Sequence, residues 1–212
     1  MDAPVLQDFS AADFRARGRA HVISQTDEPN HWGDHRWNPG AEALFPTDDL
    51  REAAVLIAVV DRGPQSSLIL TKRTETLRDH SGQIALPGGR IDPGDGSPEA
   101  AALREAQEEV GLAPSRVEVV GRLPDYVSGS GYRIAPVLGI VHPPVELVLN
   151  PTEVEAAFEV PLSFLMSPAN HKVESRIWKE RERLFYVMHF EERQIWGITA
   201  GILRMLYERL YA

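Results

Sequence analysis

The sequence of 212 residues predicts an α/β sandwich, with a β-sheet packed between α-helices. Three observations support this prediction. Short apolar and β-branched runs recur through the middle of the chain, as strands require. One strongly helical segment lies near residue 100, and an amphipathic segment closes the chain. A chain of this length suits one domain with an adequate core.

The N-terminal residues 1–50 are predicted to form a helix and an irregular arm that pack on the main domain. Residues 5–20 read as a short amphipathic helix, with Ser10 as a candidate cap. Residues 24–50 are polar and contain Pro and Gly, so we expect an irregular path there. The main domain is expected to cover residues 51–212.

Strands are predicted where apolar and β-branched residues cluster between turn residues. Some precede the central helix and others follow it. They are Val55–Val60, Ser67–Thr71, Gln83–Leu86, Arg116–Leu123, Ile134–Val141 and Glu182–Phe190. An amphipathic helix over Ile195–Leu210 completes the expected layout.

The central helix has clear start and stop signals. Ser97 is a good N-cap, Pro98 suits the first helical position, and Gly111 is a plausible stop. Between them lie strong helix formers such as Ala, Leu, Glu, Gln and Arg. The sequence therefore predicts a helix between these residues.

This helix places carboxylates on one side. With Glu105 at zero and about 100° per residue, Glu109 falls near +40° and Glu108 near −60°. A separate apolar stripe carries Leu103, Ala106 and Val110. Like charges one turn apart disfavour the helix, whereas a divalent cation reverses that balance. A solvated acidic face is the usual explanation of a Glu-rich helix, but the glycine turn before this one favours a metal site.

That turn and helix together carry a family resemblance. Leu86-Pro87-Gly88-Gly89 precedes Arg104-Glu105-Ala106-Gln107-Glu108-Glu109-Val110-Gly111-Leu112, and the combination resembles the Nudix box. The resemblance implies the Nudix fold, a mixed β-sheet sandwiched between α-helices. It also implies Mg²⁺ or Mn²⁺ as cofactor and hydrolysis of a nucleoside diphosphate linked to another group.

The chain departs from the box in three ways. Asp95 stands where Glu is usual, and eight residues instead of seven separate it from Arg104. Ala106 replaces the usual large aliphatic residue. An Asp with one extra residue resembles the coenzyme A pyrophosphatase branch of the family.

Other segments extend the resemblance to this branch. Residues 70–89 match its upstream signature in the spacing of Arg, His and Gly before the Gly pair. Residues 128–136, 151–165 and 195–200 resemble its later segments. Together these matches cover about residues 53–210. The branch cleaves coenzyme A or its derivatives to 4′-phosphopantetheine, or its acyl form, and adenosine 3′,5′-bisphosphate.

The resemblance implies roles for the carboxylates. Glu105 and Glu109 are the first candidates for metal ligands, with Glu108 next and the Gly89 carbonyl as a further oxygen. Arg104 is expected to orient a glutamate through an ion pair, and Asp95 to anchor the turn to the helix. The general base comes either from the box helix or from a later loop, where Glu153 is the candidate. An ordinary turn carboxylate is an equally good explanation of Glu153.

Basic and aromatic residues are candidates for substrate binding. Arg73, Arg78 and Lys72 could hold phosphates, because guanidinium groups bind them in bidentate fashion. His80 could contact phosphate or cap its loop. Tyr132 could stack on a base or line a channel, although core packing is an equal alternative. Trp196 is expected in the core, and the other histidines are expected to be structural or exposed: His21, His31, His35, His142, His171 and His189.

Composition excludes several other classes of protein. The chain has no cysteine, so it forms no disulfide and has no thiol chemistry. A net charge of −9 disfavours broad electrostatic binding to nucleic acid or to an anionic membrane. No apolar run is long enough to span a bilayer and no secretory signal is apparent, so we expect a cytoplasmic protein. Either the C-terminal helix or the N-terminal arm could serve a homodimer.

Three functional hypotheses follow. The first is a coenzyme A pyrophosphatase. The second is a Nudix hydrolase of another nucleoside diphosphate derivative, such as ADP-ribose, NADH or a dinucleotide. The third is a non-catalytic binding protein with the Nudix fold. The intact glutamates disfavour the third hypothesis, and the signature upstream of the Gly pair favours the first over the second.

Overall fold

The computed structural model of the protein describes residues 8–23, 32–39, 48–75, 81–178 and 181–212. Three long α-helices and a short one lie in these ranges. They are α1 (Ala11–Ile23), α2 (Pro98–Val110), α3 (Leu162–Leu165) and α4 (Ile198–Leu210). In the described part of the chain, no helix has the length and apolar character needed to cross a membrane.

The strands of the described residues form two sheets. They are β1 (Trp32–Gly33), β2 (Arg51–Val60), β3 (Ser67–Arg73), β4 (Ile84–Ala85), β5 (Gly88–Arg90), β6 (Val117–Arg122), β7 (Tyr126–Val127), β8 (Tyr132–Val141), β9 (Val154–Pro161), β10 (Lys172–Trp178), β11 (Arg181–Phe190) and β12 (Arg193–Trp196). The larger sheet has the order β1-β7-β8-β2-β3-β4. Strand β5 pairs with β2, β6 with β8, and β9 with β3. The second sheet, β10-β11-β12, is antiparallel.

The larger sheet is mixed. Its central strand β2 runs parallel to β8 along its whole length, from Arg51 beside Tyr132 to Val60 beside Val141. The same strand is antiparallel to β3 and to β5. Since β5 is the strand that leads into α2, this pairing fixes the start of that helix relative to the centre of the sheet.

Both faces of the sheet are buried, as an α/β/α sandwich requires. Side chains of a strand alternate between faces. On β2, Leu56 and Val60 pack with α2, whereas Ile57 and Val59 belong to the cluster that includes α1 and α4. The predicted α/β/α fold is therefore confirmed.

Two helix boundaries differ from the sequence prediction. Helix α1 begins at Ala11, directly after the expected cap Ser10, whose hydroxyl accepts a hydrogen bond from Asp13 N at 3.2 Å; residues 5–7 of the predicted helix lie outside the described residues. Residues 195 and 196, assigned to the last helix, instead end β12. Gly197 has φ 64 and separates the strand from the helix. A left-handed residue of this kind ends one element and starts another.

The N-terminal residues contribute to the main core. Phe14 of α1 is completely buried with the residues of α4, and Trp32 is 4% exposed in the same cluster. Asp34 is also buried and accepts a hydrogen bond from Tyr126 Oη at 2.7 Å. In the described residues, the segment before β2 is therefore part of the packed structure. Much of the predicted irregular arm, residues 24–31 and 40–47, lies outside the described residues.

Candidate active site

Helix α2 has the predicted caps. Ser97 Oγ accepts a hydrogen bond from Ala100 N at 3.2 Å, and Pro98 is the first helical residue. Gly111 follows the helix with φ 70, a conformation that glycine adopts without strain. The apolar side of the helix, including Ala106 and Val110, is buried against the sheet. These constraints set the rotation of the helix and therefore the direction of its glutamates.

Glu109 is buried next to the Gly pair. Glu109 is 2% exposed, and its carboxylate accepts a hydrogen bond from Gly88 N at 3.2 Å. The guanidinium of Arg73 lies 3.6 Å away. Burial raises the pKa of Glu109 to about 7, although the Gly88 N–H and Arg73 oppose that rise. The groups around Glu109 therefore do not fully offset the cost of burying its negative charge.

Glu105 lies one turn earlier, against Gly89. A β-carbon at Gly89 would lie 2.5 Å from the carboxyl carbon of Glu105, so only glycine allows this approach. Burial raises the pKa of Glu105, while a hydrogen bond from Arg104 Nη1 at 3.0 Å opposes the change. The negative charge of Glu105 raises the pKa of Glu109, that of Glu108 raises the pKa of Glu105, and that of Glu153 raises both.

Arg104 holds the outer side of this cluster. It donates to Asp95 at 2.7 and 3.0 Å, to Glu108 Oε2 at 2.9 Å and to the Arg90 carbonyl at 3.1 Å. Asp95 also accepts from Asp92 N at 2.7 Å, so it ties the turn to the helix. Arg104 thus contacts two glutamates of the helix, and Asp95 contacts both the turn and the helix. Glu108 is turned toward Arg104, with 54% of its side chain exposed.

Glu153 approaches the cluster from the loop before β9. Its carboxylate accepts a hydrogen bond from Asn150 Nδ2 at 2.9 Å, which orients it. Its carbonyl accepts from Thr74 N at 3.0 Å, which joins the loop to the end of β3. The structure therefore brings Glu153 close enough to Glu105 and Glu109 for its charge to raise their pKa values.

A groove of about 320 Å³ adjoins the cluster. Arg73, Gly88 and Gly89 line it and also contact the glutamates. One wall is apolar and is formed by Val55, Ile84, Leu86, Ile134, Ile198 and Ile202. The groove thus offers an apolar surface beside the carboxylates.

Tyr132 and Trp196 both line this groove. The Arg51 guanidinium lies 3.9 Å from the centre of the Tyr132 ring, a cation–π contact at the groove wall. The expectation that Trp196 is a core residue was wrong, because Trp196 is only partly buried. Its position at the end of β12, in the second sheet, places it at the wall of the groove.

The remaining sequence candidates separate into three groups. Arg78 and His80 lie outside the described residues. Lys72 is exposed in part and pairs with Glu155 at 2.7 Å. The other described histidines, His21, His35, His142, His171 and His189, are buried, paired or exposed on different elements, and His31 lies outside the described residues.

Within the described ranges, no three acidic or histidine side chains converge closely enough to hold a metal ion. The geometry explains why. Arg104 draws Glu108 and one oxygen of Glu105 outward, and Arg73 faces Glu109. The carboxylates that the sequence nominated are brought together in one region, but their present partners are arginines.

Comparison with known proteins identifies the family. Residues 50–192 match the NUDIX domain family. Over 156 residues, the chain is 44% identical to the uncharacterized Nudix hydrolase NudL of Escherichia coli (strain K12). The aligned region covers 74% of this chain and 81% of NudL. NudL of Shigella boydii serotype 4 (strain Sb227) gives the same values, 44% identity over 156 residues. Among solved structures, the Nudix hydrolase RenU of M. smegmatis has 26% identity and a TM-score of 0.46, with 53% of this chain and 71% of RenU covered. That last similarity is too low to carry weight, but the family match and the NudL alignment show that the chain belongs to the Nudix hydrolase family.

Proposed function

We propose that the protein is a metal-dependent pyrophosphohydrolase that cleaves the diphosphate of coenzyme A or its derivatives. The products are 4′-phosphopantetheine, or its acyl form, and adenosine 3′,5′-bisphosphate. One observation carries this proposal. Glu105 and Glu109 lie beside the Gly88–Gly89 strand at the edge of a groove with an apolar wall, near enough to Glu153 for its charge to act on both.

The donor set fits a hard divalent cation. Burial and repulsion from neighbouring carboxylates both disfavour the charged forms of Glu105 and Glu109, and the pKa values of both residues are raised accordingly. Oxygen ligands of this kind suit Mg²⁺ or Mn²⁺. Glu105 and Glu109 would hold the metal, with Glu108 and the Gly89 carbonyl as further oxygens. A bound metal neutralises diphosphate charge and lowers the pKa of water.

The residues around the cluster have distinct tasks in this proposal. Gly88 N–H and Arg73 position Glu109, and Arg104 positions Glu105 and Glu108. Arg73 also faces the groove, where its guanidinium can bind a phosphate oxygen of the substrate. Because Glu105 and Glu109 are assigned to the metal, Glu153 remains to accept the proton of the attacking water. Attack by this water on one phosphorus breaks the P–O–P bond and releases 4′-phosphopantetheine, or its acyl form, and adenosine 3′,5′-bisphosphate.

The groove favours coenzyme A within the family. The pantetheine arm is long and largely uncharged, so an apolar wall beside the diphosphate site suits it better than a second charged nucleotide. The signature in residues 70–89 supports the same branch. Seven of those residues line the groove: Arg73, Gln83, Ile84, Ala85, Leu86, Gly88 and Gly89.

A substrate panel tests the proposal. Coenzyme A, acyl-coenzyme A, dephospho-coenzyme A, NADH and ADP-ribose would be compared with Mg²⁺ and with Mn²⁺, using kcat/KM as the measure. We expect the highest value for coenzyme A or an acyl derivative. Faster turnover of ADP-ribose or NADH would replace coenzyme A with another nucleoside diphosphate derivative.

A pair of variants tests the site. Glu109→Gln keeps an acceptor for Gly88 N–H but removes the charge, so metal-dependent hydrolysis should fall at least about a hundredfold, as for loss of a metal ligand. Glu99→Gln, in the first turn of the same helix, is the matched control and should retain activity. Near wild-type turnover in the Glu109 variant would overturn the site assignment.

A further inference from the structure

A second cavity opens beside the groove, against the second sheet. It has a volume of about 220 Å³. Its wall includes Arg176 of β10, Arg183 and Phe185 of β11, and Trp196 of β12. We call it the second-sheet cavity. It shares Gln83, Ser130, Trp196 and Ile198 with the groove, so the two spaces adjoin.

Two arginines face each other across this cavity wall. Arg176 and Arg183 are direct partners in the β10–β11 register. Like charges directly opposite on a sheet destabilise the pairing. Both residues line the same cavity, so their charges concentrate at its wall. Asp34 also lines the cavity and pairs with Arg183, so within the described ranges the positive charge without a carboxylate partner is that of Arg176.

The two arginines are held differently. Arg183 forms an ion pair with the buried Asp34, and Gly129 makes room for it, since a β-carbon there would lie 2.5 Å from Arg183 Nη2. Asp34 is itself fixed by Gly129 N at 2.8 Å. Arg176 is exposed, and its guanidinium lies 5.2 Å from the centre of the Trp196 ring. Among the described residues, no carboxylate lies within 4.0 Å of Arg176.

The rest of the wall is aromatic. The Phe185 and Trp196 ring centres are 5.6 Å apart. Aromatic faces stack on nucleobases, and guanidinium groups bind phosphate. A guanidinium without a carboxylate partner beside two rings therefore suits a nucleoside that carries its own phosphate.

Three of the other cations near the groove already have carboxylate partners. Arg73 faces Glu109 at 3.6 Å, Lys72 pairs with Glu155 at 2.7 Å, and Arg193 pairs with Glu191 at 2.5 Å. The position of Arg73 beside the metal candidates assigns it to the diphosphate. A phosphate at the far end of the substrate thus requires another partner, and Arg176 has no competing carboxylate.

Resting on the function proposed above, we propose that the second-sheet cavity binds the adenosine half of the substrate. The 3′-phosphate lies at Arg176, and the base stacks on the surface of Trp196 and Phe185. The apolar groove is then left for the pantetheine arm. Arg176 is a specificity residue in this arrangement, because it contacts a group distant from the bond that breaks.

Nucleotide binding tests the cavity without relying on hydrolysis. Calorimetric titrations with adenosine 3′,5′-bisphosphate and with adenosine 5′-monophosphate would be compared for the wild type, Arg176→Gln and Arg116→Gln. Arg116 is exposed on the short turn before β6 and serves as the matched control for loss of one positive charge. The wild type should bind the bisphosphate about tenfold more tightly, the effect of one charge-assisted hydrogen bond. Arg176→Gln should lose most of this preference with little change for the monophosphate, and Arg116→Gln should keep it.

Equal binding of the two nucleotides by the wild type would overturn the proposal. So would equal weakening of both ligands in Arg176→Gln, or an equal loss of preference in Arg116→Gln. Coenzyme A hydrolysis is measured separately on the same wild-type protein. If coenzyme A is hydrolysed without nucleotide discrimination, the cavity assignment fails and the function stands. If discrimination is present without hydrolysis of coenzyme A or its derivatives, the function fails and the cavity assignment stands.

Discussion

Asp95 accepts two hydrogen bonds from Arg104, one from Nε at 2.7 Å and one from Nη2 at 3.0 Å. The shorter Asp replaces the Glu of the usual box, and one extra residue lies between it and Arg104. The structure shows that the ion pair forms despite both changes. The hydrogen bonds from Arg104 hold the pKa of Asp95 below its usual range. The turn is thereby joined to the helix that carries Glu105 and Glu108.

Asp95→Asn should therefore reduce activity without unfolding the protein. The amide keeps one acceptor but loses the charge, so Arg104 no longer holds Glu105 and Glu108 in place. Loss of such an outer partner lowers metal affinity or activity by about tenfold to a hundredfold. The measurement is kcat/KM as a function of metal concentration, with circular dichroism to check the fold. Asp92→Asn is the control, since Asp92 lies 3.8 Å from Arg104 and is 68% exposed. Equal effects of the two changes would contradict the positioning role of Asp95.

Gly89→Ala should displace Glu105. The added β-carbon would lie 2.5 Å from the Glu105 carboxyl carbon, closer than side chains approach in proteins. The carboxylate must then move, and an ångström-scale shift at an active site lowers turnover by about a hundredfold. Gly94→Ala is the matched control, because nothing lies within 4 Å of its added carbon. Steady-state kinetics of both variants give the comparison. Retained turnover in Gly89→Ala would show that the position of Glu105 is not critical.

The central helix could be predicted from sequence because its signals are local. Ser97, Pro98 and Gly111 lie within one short segment and define both ends of the helix. The spacing of Glu105 and Glu109 then follows from the helical repeat. The expected ion pair between Arg104 and a glutamate also connects neighbours on one helix.

The wall of the second-sheet cavity could not be predicted in the same way. Its contacts join residues that are far apart in the chain, such as Asp34 and Arg183. Strand β10 carries Glu174, Ser175 and Arg176 in succession and lacks a continuous apolar run. Trp196 has apolar neighbours in sequence, which suggested the core, but β12 ends there and Gly197 turns the chain into α4. Pairing across strands decides these positions, and a single sequence does not encode it locally.

The metal-free protein should lose stability as pH rises, through Glu109. Its pKa is 4.5 when unperturbed and about 7 in the fold. Between these values the folded state holds a proton that the unfolded state has released, so the free energy of unfolding falls with increasing pH. The full difference corresponds to roughly 3 kcal/mol and is reached above pH 7.

Comparison of wild type with Glu109→Gln isolates this contribution. Both proteins would be unfolded with urea in the presence of a chelator, at several pH values from 4.5 to 8. The variant should gain stability relative to wild type as pH rises, even though its hydrolysis is impaired. A constant difference in the free energy of unfolding across this range would contradict the pKa of Glu109. Added Mg²⁺ should stabilise wild type more than the variant, since binding to the folded state raises stability.

Asp34→Asn should loosen the second sheet from the larger one. The Asp34 carboxylate accepts hydrogen bonds from Tyr126 Oη and Gly129 N and pairs with Arg183. Asparagine can satisfy only part of this set and leaves the Arg183 charge without its counter-ion. Loss of a buried, charged hydrogen-bond partner costs about 1–3 kcal/mol. The free energy of unfolding in urea measures this loss, and exposed Asp48→Asn is the control. Since Arg183 also lines the second-sheet cavity, the variant should have a changed affinity for adenosine 3′,5′-bisphosphate. The pKa of Glu109 should stay unchanged. Unaltered stability would mean that Asp34 does not hold the two sheets together.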